Sequence, residues 1–172
     1  GGLLWQPSGD TATVPPPSGD YNLIWSATLA GQYNNLSELQ KARGDWLWSA
    51  FGDPAFVDPA GLDFHPRSVT GTFIGGSFVT QSVQSLAIDF ASPASPYAFE
   101  PAPNGARLNA GNFGNNTQAS LSRTNAWLYV LNYRDGGVLS VPTDTIRWNA
   151  GGMPTGATIR PRRRGAWARL FA

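Results

Sequence analysis

Glycine and proline are spread along the whole chain and leave room only for short regular elements. Among 172 residues there are 20 glycines and 14 prolines, and both residue types favour turns over the interiors of helices and strands. The seven tryptophans, nine phenylalanines and five tyrosines argue against disorder, because disordered chains lack large apolar groups. We therefore predict a folded, turn-rich, all-β protein with little helix.

The charge and the cysteine content exclude several classes of partner and site. A net charge of +1 provides no general attraction to nucleic acid or to an acidic membrane surface. The absence of cysteine removes disulfides and cysteine-ligated metals. No apolar run approaches the roughly twenty residues of a membrane-spanning helix. Residues 1–5 have neither a starting Met nor a basic region, so we expect the chain to begin inside a longer reading frame.

The clearest helix signal covers residues 36–43. Asn35 and Glu38 have the spacing of a capping box, and two leucines follow at helical spacing. Gly44 suits the left-handed conformation that ends many helices. We predict one short helix from about Leu36 to Arg43.

Most of the remaining apolar segments are predicted to be short strands. The pair Gly75–Gly76 breaks one of them at its centre, and Asn104–Gly105 is a strong signal for a tight turn. The predicted strand segments are 21–25, 56–57, 71–80, 85–90, 107–109, 127–131, 137–141 and 143–148.

The order of motifs from Gly52 to Ser120 resembles a known family. The motifs are Asp-Phe-His-Pro at 63–66, Ser-Leu-Ala-Ile-Asp at 85–89, and the segment 100–120 with Arg-Leu-Asn and Ala-Gly-Asn-Phe-Gly. They are similar to the C-terminal end of right-handed parallel β-helix proteins of the pectate-lyase-like superfamily, which are secreted repeat proteins. The resemblance implies that residues 1–123 are the terminal coils and cap of a β-helix.

The pattern of residues changes after residue 123. The segment Thr-Ile-Arg-Trp-Asn at 145–149 resembles the early strands of Ig-like modules that follow secreted β-helix domains. We therefore expect residues 124–172 to hold a few antiparallel strands of an incomplete sandwich-like module with a basic tail. The tail, with Arg160, Arg162–Arg164 and Arg169, is not expected to continue the strand pattern. A disordered or artefactual terminus is favoured over phosphate binding.

Four aspartates are candidate calcium ligands, because calcium prefers several oxygen donors. Asp53, Asp58 and Asp63 recur every five residues, and Asp89 follows. Two of them precede proline, where aspartate usually bonds nearby backbone N–H groups in a turn. The turn interpretation is favoured, and no metal or other cofactor is assigned.

No catalytic residue is assigned either. His65 is the sole histidine and so the sole candidate for histidine acid–base chemistry, but its motif matches a structural family element. Glycoside hydrolysis needs paired carboxylates, and a lyase of this superfamily would need an arginine base with calcium-binding aspartates. The candidates for these roles are Glu38, Glu100, Arg67 and Arg107, and the sequence does not place any two together.

Surface aromatics are the remaining candidates for binding. Trp5, Trp25, Trp46 and Trp48 are enough to stack on sugar rings, although filling the interior of the solenoid is the favoured role. Two triplets, Asn35–Ser37 and Asn115–Thr117, match the glycosylation pattern, but the implied bacterial origin makes their use improbable.

Three functional classes remain open. The favoured class is a non-catalytic fragment of an extracellular or cell-surface bacterial β-helix protein, which contacts polysaccharide or cell-surface glycan as a scaffold or adhesin. The second is part of a polysaccharide lyase or glycoside hydrolase with its active site upstream. The third is a tailspike-type phage fibre, which would trimerise. Fold resemblance alone cannot choose among them.

Overall fold

The computed structural model describes residues 4–5, 19–25, 36–132, 145–158, 160–164 and 167–171. Within these ranges there are eleven short strands and one helix, α1 (Leu36–Arg43). The prediction of an all-β protein with one short helix is confirmed at this coarse level. The strands are β1 (Leu4–Trp5), β2 (Leu23–Ile24), β3 (Ala50–Phe51), β4 (Phe56–Asp58), β5 (Asp63–Pro66), β6 (Thr72–Ile74), β7 (Ser77–Val79), β8 (Trp127–Val130), β9 (Trp148–Gly151), β10 (Arg160–Arg164) and β11 (Trp167–Phe171).

The first three strands pair in parallel, in the order β1-β2-β3. Leu23 of β2 lies opposite Leu4 on one side and Ala50 on the other. The ladder continues with Gly52, whose N–H donates to the carbonyl of Ile24 at 2.9 Å. The other sheets in the described ranges are two-stranded and antiparallel, and no continuous solenoid sheet is formed there. The β-helix coils therefore stay a prediction.

Three antiparallel hairpins follow the parallel strands: β4–β5, β6–β7 and β8–β9. The turn between β6 and β7 is made by Gly75 and Gly76, with φ angles of 59° and 89°, a region that only glycine enters at little cost. The Gly–Gly break predicted within segment 71–80 is therefore the turn of a hairpin, which lies in the stretch from Phe64 to Ile88 that is longer than in the resembled family. The strands predicted at 56–57 and 127–131 are also present, as β4 and β8.

Two predicted strands are wrong. Residues 85–90 form turns, and residues 107–109 lie in irregular backbone. No strand ladder forms, but two backbone hydrogen bonds join the segments, from the N–H of Ala91 to the carbonyl of Leu108 at 3.0 Å and from the N–H of Ala110 to the carbonyl of Ala87 at 2.7 Å. Side-chain hydrogen bonds, described below, add to these two. The predicted strand at 143–148 begins only at Trp148, and the one at 137–141 lies outside the described residues.

The end of the chain also differs from the prediction. Arg160–Arg164 and Trp167–Phe171 are paired antiparallel strands, with Arg162 opposite Arg169. The expectation that the basic tail interrupts the strand pattern is wrong. The period-two signal of a strand is weak in this segment, because Arg160–Arg164 holds four arginines and the apolar residues of Trp167–Phe171 are interrupted by Arg169.

Two buried clusters form the core. The helical cluster joins α1 to the parallel strands through Ile24, Leu36, Leu39 and Trp46. The second cluster contains Leu23, Ala50, Ala87, Phe90, Ala110 and Leu131. Leu131 therefore packs with residues from before position 123, while the predicted division of the chain at that position stays a prediction. Gly44 ends α1 at φ 72°, as predicted, whereas Asn35 lies outside the described residues.

Candidate functional site

The loops from 85 to 122 are tied together by buried polar side chains. Glu100 Oε1 accepts hydrogen bonds from the backbone N–H groups of Asn109 and Asn115, at 2.8 and 2.9 Å. Asn109 Oδ1 accepts from the N–H of Asp89 at 2.9 Å, and its Nδ2 donates to the carbonyl of Ser120 at 2.8 Å. Side chains thus satisfy backbone groups that a strand ladder would otherwise pair. We call this set the loop network: Asp89, Glu100, Arg107, Asn109 and Ser122.

Arg107 links the loop network to the hairpin β8–β9. Its Nε donates to the carbonyl of Ala91 at 2.7 Å, and its Nη1 donates to the side-chain oxygen of Asn149. The amide nitrogen of Asn149 in turn donates to the backbone carbonyl of Asp89 at 3.0 Å. The carboxylate of Asp89 accepts the hydroxyl of Ser122 at 2.6 Å. The side chains of Arg107 and Asn149 therefore fix the hairpin against the loops.

Burial controls the electrostatics of this network. Burial raises the pKa of Asp89, and the hydroxyl of Ser122 and the charge of Arg107 offset part of that rise. Burial also raises the pKa of Glu100, against the lowering effect of its two backbone N–H donors, and the charge of Asp89 adds to the rise. Burial lowers the pKa of the Arg107 guanidinium. Each shift disfavours the charged form of a group removed from water.

The loop network brings together candidates that the sequence could not join. Asp89, Glu100 and Arg107 meet, whereas Glu38 lies exposed on α1 and the guanidinium of Arg67 donates to the carbonyl of Val57 at 2.8 Å. Asp89 and Glu100 are only 3% and 5% exposed. General acid–base catalysis needs a group within hydrogen-bond reach of the substrate. Carboxyls this deep, bonded to their own chain, act as supports for the loops.

The three regularly spaced aspartates each serve a local turn. Asp53 Oδ1 accepts from the N–H of Ala55 at 2.7 Å, and Asp58 Oδ1 accepts from the N–H of Gly61 at 3.1 Å. Asp63 Oδ1 accepts from the N–H of His65 at 3.0 Å. These are the short bonds by which aspartate mimics a backbone turn. In the described part of the chain, no group of three or more His, Asp or Glu side chains is arranged to hold a metal ion.

His65 packs between an acidic and an aromatic neighbour. Its Nδ1 lies 2.6 Å from Asp63 Oδ1, and its ring stacks on Phe113 with a centroid distance of 3.5 Å. Burial works to raise the pKa of Asp63, but the hydrogen bonds from His65 lower it overall. The other ring nitrogen, Nε2, is buried and has no hydrogen-bond partner among the described residues. The arrangement orients the imidazole and joins β5 to the loop at 111–114.

The four tryptophans of the sequence prediction separate into different environments. Trp46 is fully buried in the helical cluster, whereas Trp25 and Trp48 are 42% and 40% exposed. Trp48 stacks on Tyr21 with ring centroids 6.4 Å apart and an angle of 11° between the planes. Trp46 is therefore a core residue and Trp25 and Trp48 are not, while the filling of a solenoid interior stays a prediction. The side chain of Trp5 lies outside the described residues.

An open cavity lies between the turns at 84–90 and the hairpin β8–β9. It has a volume of about 70 Å³, and its wall combines aromatic and aliphatic side chains with polar ones. Sequence reasoning missed the site, because its residues come from three separated segments and carry no shared motif. The lining includes Gln84, Leu86, Asp89, Arg123, Trp127 and Asn149.

The remaining sequence candidates lie apart from this cavity. Ser37 of the first glycosylation triplet is buried on α1, and Asn115 of the second already accepts a hydrogen bond from the N–H of Phe99 at 3.1 Å. The arginines of the tail are placed on β10 and β11 by their backbone, and their side chains lie outside the described residues.

Comparisons with known proteins give no identification. No protein-family model, no curated protein and no solved structure matches the chain. Among the described residues no helix is long and apolar enough to span a membrane.

Proposed function

We propose that this chain is a non-catalytic segment of an extracellular or surface-attached bacterial β-helix protein, and that it contacts polysaccharide. The observation that carries the proposal is a set of aromatic side chains beside the parallel strands: the stacked pair of Trp48 and the half-buried Tyr21, and Trp25. Trp48 lies in the turn before β3, Trp25 directly follows β2, and both keep about two fifths of their surface in water. We call these three residues the aromatic surface.

The geometry of the aromatic surface suits ring-shaped ligands. The rings of Tyr21 and Trp48 are nearly parallel, and the guanidinium of Arg107 lies 5.6 Å from the centre of the Tyr21 ring on this side of the molecule. Contacts of this kind hold aromatic rings in one orientation at little entropic cost. A fixed, exposed ring offers a flat apolar surface to the C–H groups on one face of a pyranose.

The parallel strands support the scaffold part of the proposal. β1, β2 and β3 are in register, and each pair is joined by a long stretch of chain rather than by a tight turn. Parallel pairing requires such crossovers, and stacking of successive coils is how a solenoid buries its core. The three strands lie within residues 1–123, the range that the resemblance assigns to the coils and cap of a β-helix.

An enzymatic role within this chain has no comparable support. Asp89 and Glu100 are buried and serve backbone N–H or hydroxyl donors, and Arg107 is occupied by carbonyl oxygens. A lyase or hydrolase whose active site lies elsewhere in a longer protein stays the alternative, as does a trimeric tailspike-type fibre.

The test uses calorimetry to measure binding to a panel of neutral and acidic polysaccharides, with and without calcium. Trp48→Ala should weaken binding roughly tenfold or more, the usual cost of removing an aromatic anchor. Phe99→Ala is the matched control, since Phe99 is 67% exposed but lies in another loop. Equal losses in both variants, or no binding at all, would refute the aromatic surface as the glycan contact.

The same samples separate binding from catalysis. Unsaturated or reducing ends should not appear during prolonged incubation with any polysaccharide that binds. Their appearance, and its loss in a Glu100→Gln variant that still folds, would show that the carboxyls of the loop network react with substrate.

A further inference from the structure

The open cavity beside β8 differs in chemistry from the aromatic surface. Trp127, Leu86 and Leu128 are apolar residues of its lining, and Arg123 and Gln84 are residues of the same lining whose side chains carry hydrogen-bond donors. A volume of about 70 Å³ exceeds the roughly 15 Å³ that one water molecule requires. The cavity is therefore large enough for a compact organic group.

Arg123 is the cation of this cavity whose donors remain available. No hydrogen bond or ion pair within the described residues involves its side chain. Arg107, by contrast, donates to Ala91 and to Asn149. Asp89 is the acidic residue of the lining; it attracts both guanidinium groups, but its carboxyl is bonded to Ser122. A guanidinium with free donors is the group best suited to hold a carboxylate.

Gln84 supplies a second set of donors. Its side-chain oxygen accepts from the N–H of Val69 at 3.1 Å and from the hydroxyl of Ser68 at 3.5 Å. These bonds fix the amide group and leave its NH₂ without a partner among the described residues. An oriented amide and a guanidinium can together satisfy the two oxygens of one carboxylate.

We propose that this cavity binds a small organic carboxylate with an apolar body, its carboxylate on the donors of Arg123 and Gln84 and its body against Trp127 and Leu86. The proposal is independent of glycan binding at the aromatic surface. A small ligand in a preformed site with apolar walls and a few polar groups is the usual arrangement of a binding pocket.

The experiment is a titration of the full chain with benzoate, followed by the indole N–H resonance of Trp127 in ¹⁵N–¹H spectra. Trp127→Phe assigns that resonance. Benzoate should shift it saturably. Acetate lacks the apolar ring and benzyl alcohol lacks the carboxylate, so each should bind roughly tenfold more weakly than benzoate. Arg123→Gln should weaken benzoate binding by a similar factor. Arg43→Gln, which removes the same charge at the end of α1, should leave it unchanged.

Asp89→Asn provides an independent check that does not depend on the behaviour of the arginine variant. Asn is tolerated at the left-handed φ of 58° that residue 89 adopts. It can still accept the hydroxyl of Ser122, and it removes a negative charge beside the cavity. Benzoate should therefore bind more tightly to this variant, with a shift of the same Trp127 resonance.

Four outcomes of the titrations with benzoate, acetate and benzyl alcohol would overturn the proposal, and glucuronate provides a fifth. They are the absence of a saturable shift with benzoate, equal binding of benzyl alcohol, equal binding of acetate, and an equal loss in Arg43→Gln and Arg123→Gln. Glucuronate is the remaining arm of the titration. If glucuronate binds more tightly than benzoate, the cavity favours an acidic sugar over a carboxylate with an apolar body, and the proposed ligand class is refuted.

Discussion

The helical cluster and the loop network are stabilised in different ways. In the helical cluster, Ile24, Leu36, Leu39 and Trp46 are all buried, and apolar contact holds α1 against β2. In the loop network, Glu100 and Asn109 occupy equally buried positions and bind backbone groups of neighbouring loops. Loss of an apolar side chain leaves a cavity, whereas loss of a polar one leaves unpaired buried donors and acceptors. Four substitutions or titrations test this distinction.

The largest loss of stability is expected for Trp46→Ala. The indole is fully buried in the helical cluster, and replacing a buried large aromatic by alanine typically costs about 3–5 kcal/mol. Urea unfolding followed by far-UV circular dichroism measures the change in free energy. Trp48→Ala is the control, because Trp48 is 40% exposed and its loss should cost less than about 1 kcal/mol. Similar losses in the two variants would show that Trp46 does not anchor the cluster.

A smaller but still large effect is expected in the loop network for Asn109→Ala. The substitution removes the acceptor of the Asp89 N–H and the donor to the Ser120 carbonyl. Leaving one buried polar group unsatisfied costs at least about 1 kcal/mol, so the two groups left here give an expected loss of at least about 2 kcal/mol. The same urea unfolding experiment measures it.

Asn109→Asp separates hydrogen bonding from packing at this position. Asp keeps the shape and the acceptor for the Asp89 N–H, but its ionised carboxylate cannot donate to Ser120. At a pH where the new carboxyl is protonated, its O–H can still donate to the Ser120 carbonyl, so the variant should be close to wild type there and less stable at higher pH. A stability near that of Asn109→Ala would assign most of the effect to the lost donor.

These two substitutions also mark what the sequence could and could not reveal. The helix was predictable because Leu36 and Leu39 recur at helical spacing and Gly44 follows, so local signals agree with the packing. The hairpin β6–β7 was predictable for the same reason, from a Gly–Gly pair between apolar residues. The loop network was not, because its bonds join residues up to 33 positions apart with no periodicity. The segments 85–90 and 107–109 look like strands in sequence, yet side chains of Glu100 and Asn109 take the place of the ladder.

The candidate sites follow the same division. Sequence reasoning named Trp25, Trp48, Glu100 and Arg107, since their chemistry is visible in the residue type alone. It did not separate the buried Trp46 from the exposed pair, because each follows or precedes a short apolar run. The cavity with Arg123 and Trp127 depends on the docking of β8–β9. Asn149 makes this contact by donating to the carbonyl of Asp89, which lies 60 positions earlier in the sequence.

The pH dependence of stability should arise mainly in the loop network. Burial raises the pKa of Asp89 and of Glu100 above their ordinary values of 3.8 and 4.5, so the folded state binds protons more tightly than the unfolded chain does. The free energy of unfolding should therefore fall as the pH rises from these ordinary values through the folded-state pKa values. Asp63 acts in the opposite sense, because its pKa is lowered and its contribution is lost on acidification.

Glu100→Gln isolates one of these contributions. Glutamine keeps the acceptor for the N–H groups of Asn109 and Asn115 but cannot ionise. Urea unfolding between pH 4 and pH 7 should show a shallower fall with pH than in wild type. Glu38→Gln is the matched control, since Glu38 is exposed on α1. An unchanged slope in Glu100→Gln would mean that Glu100 titrates alike in the folded and unfolded states.

The smallest effect is expected for Gly44→Ala, and it is most informative beside Gly105→Ala. Both glycines have left-handed φ angles, 72° and 59°. A Cβ on Gly44 would meet no atom within 4 Å, whereas one on Gly105 would overlap the carboxyl of Asp89. Gly44→Ala should therefore cost only the backbone term of about 1 kcal/mol. Gly105→Ala should cost that term and in addition displace the Asp89 carboxyl. Thermal unfolding of the two variants measures the difference. Equal losses would show that displacing the Asp89 carboxyl costs no measurable stability.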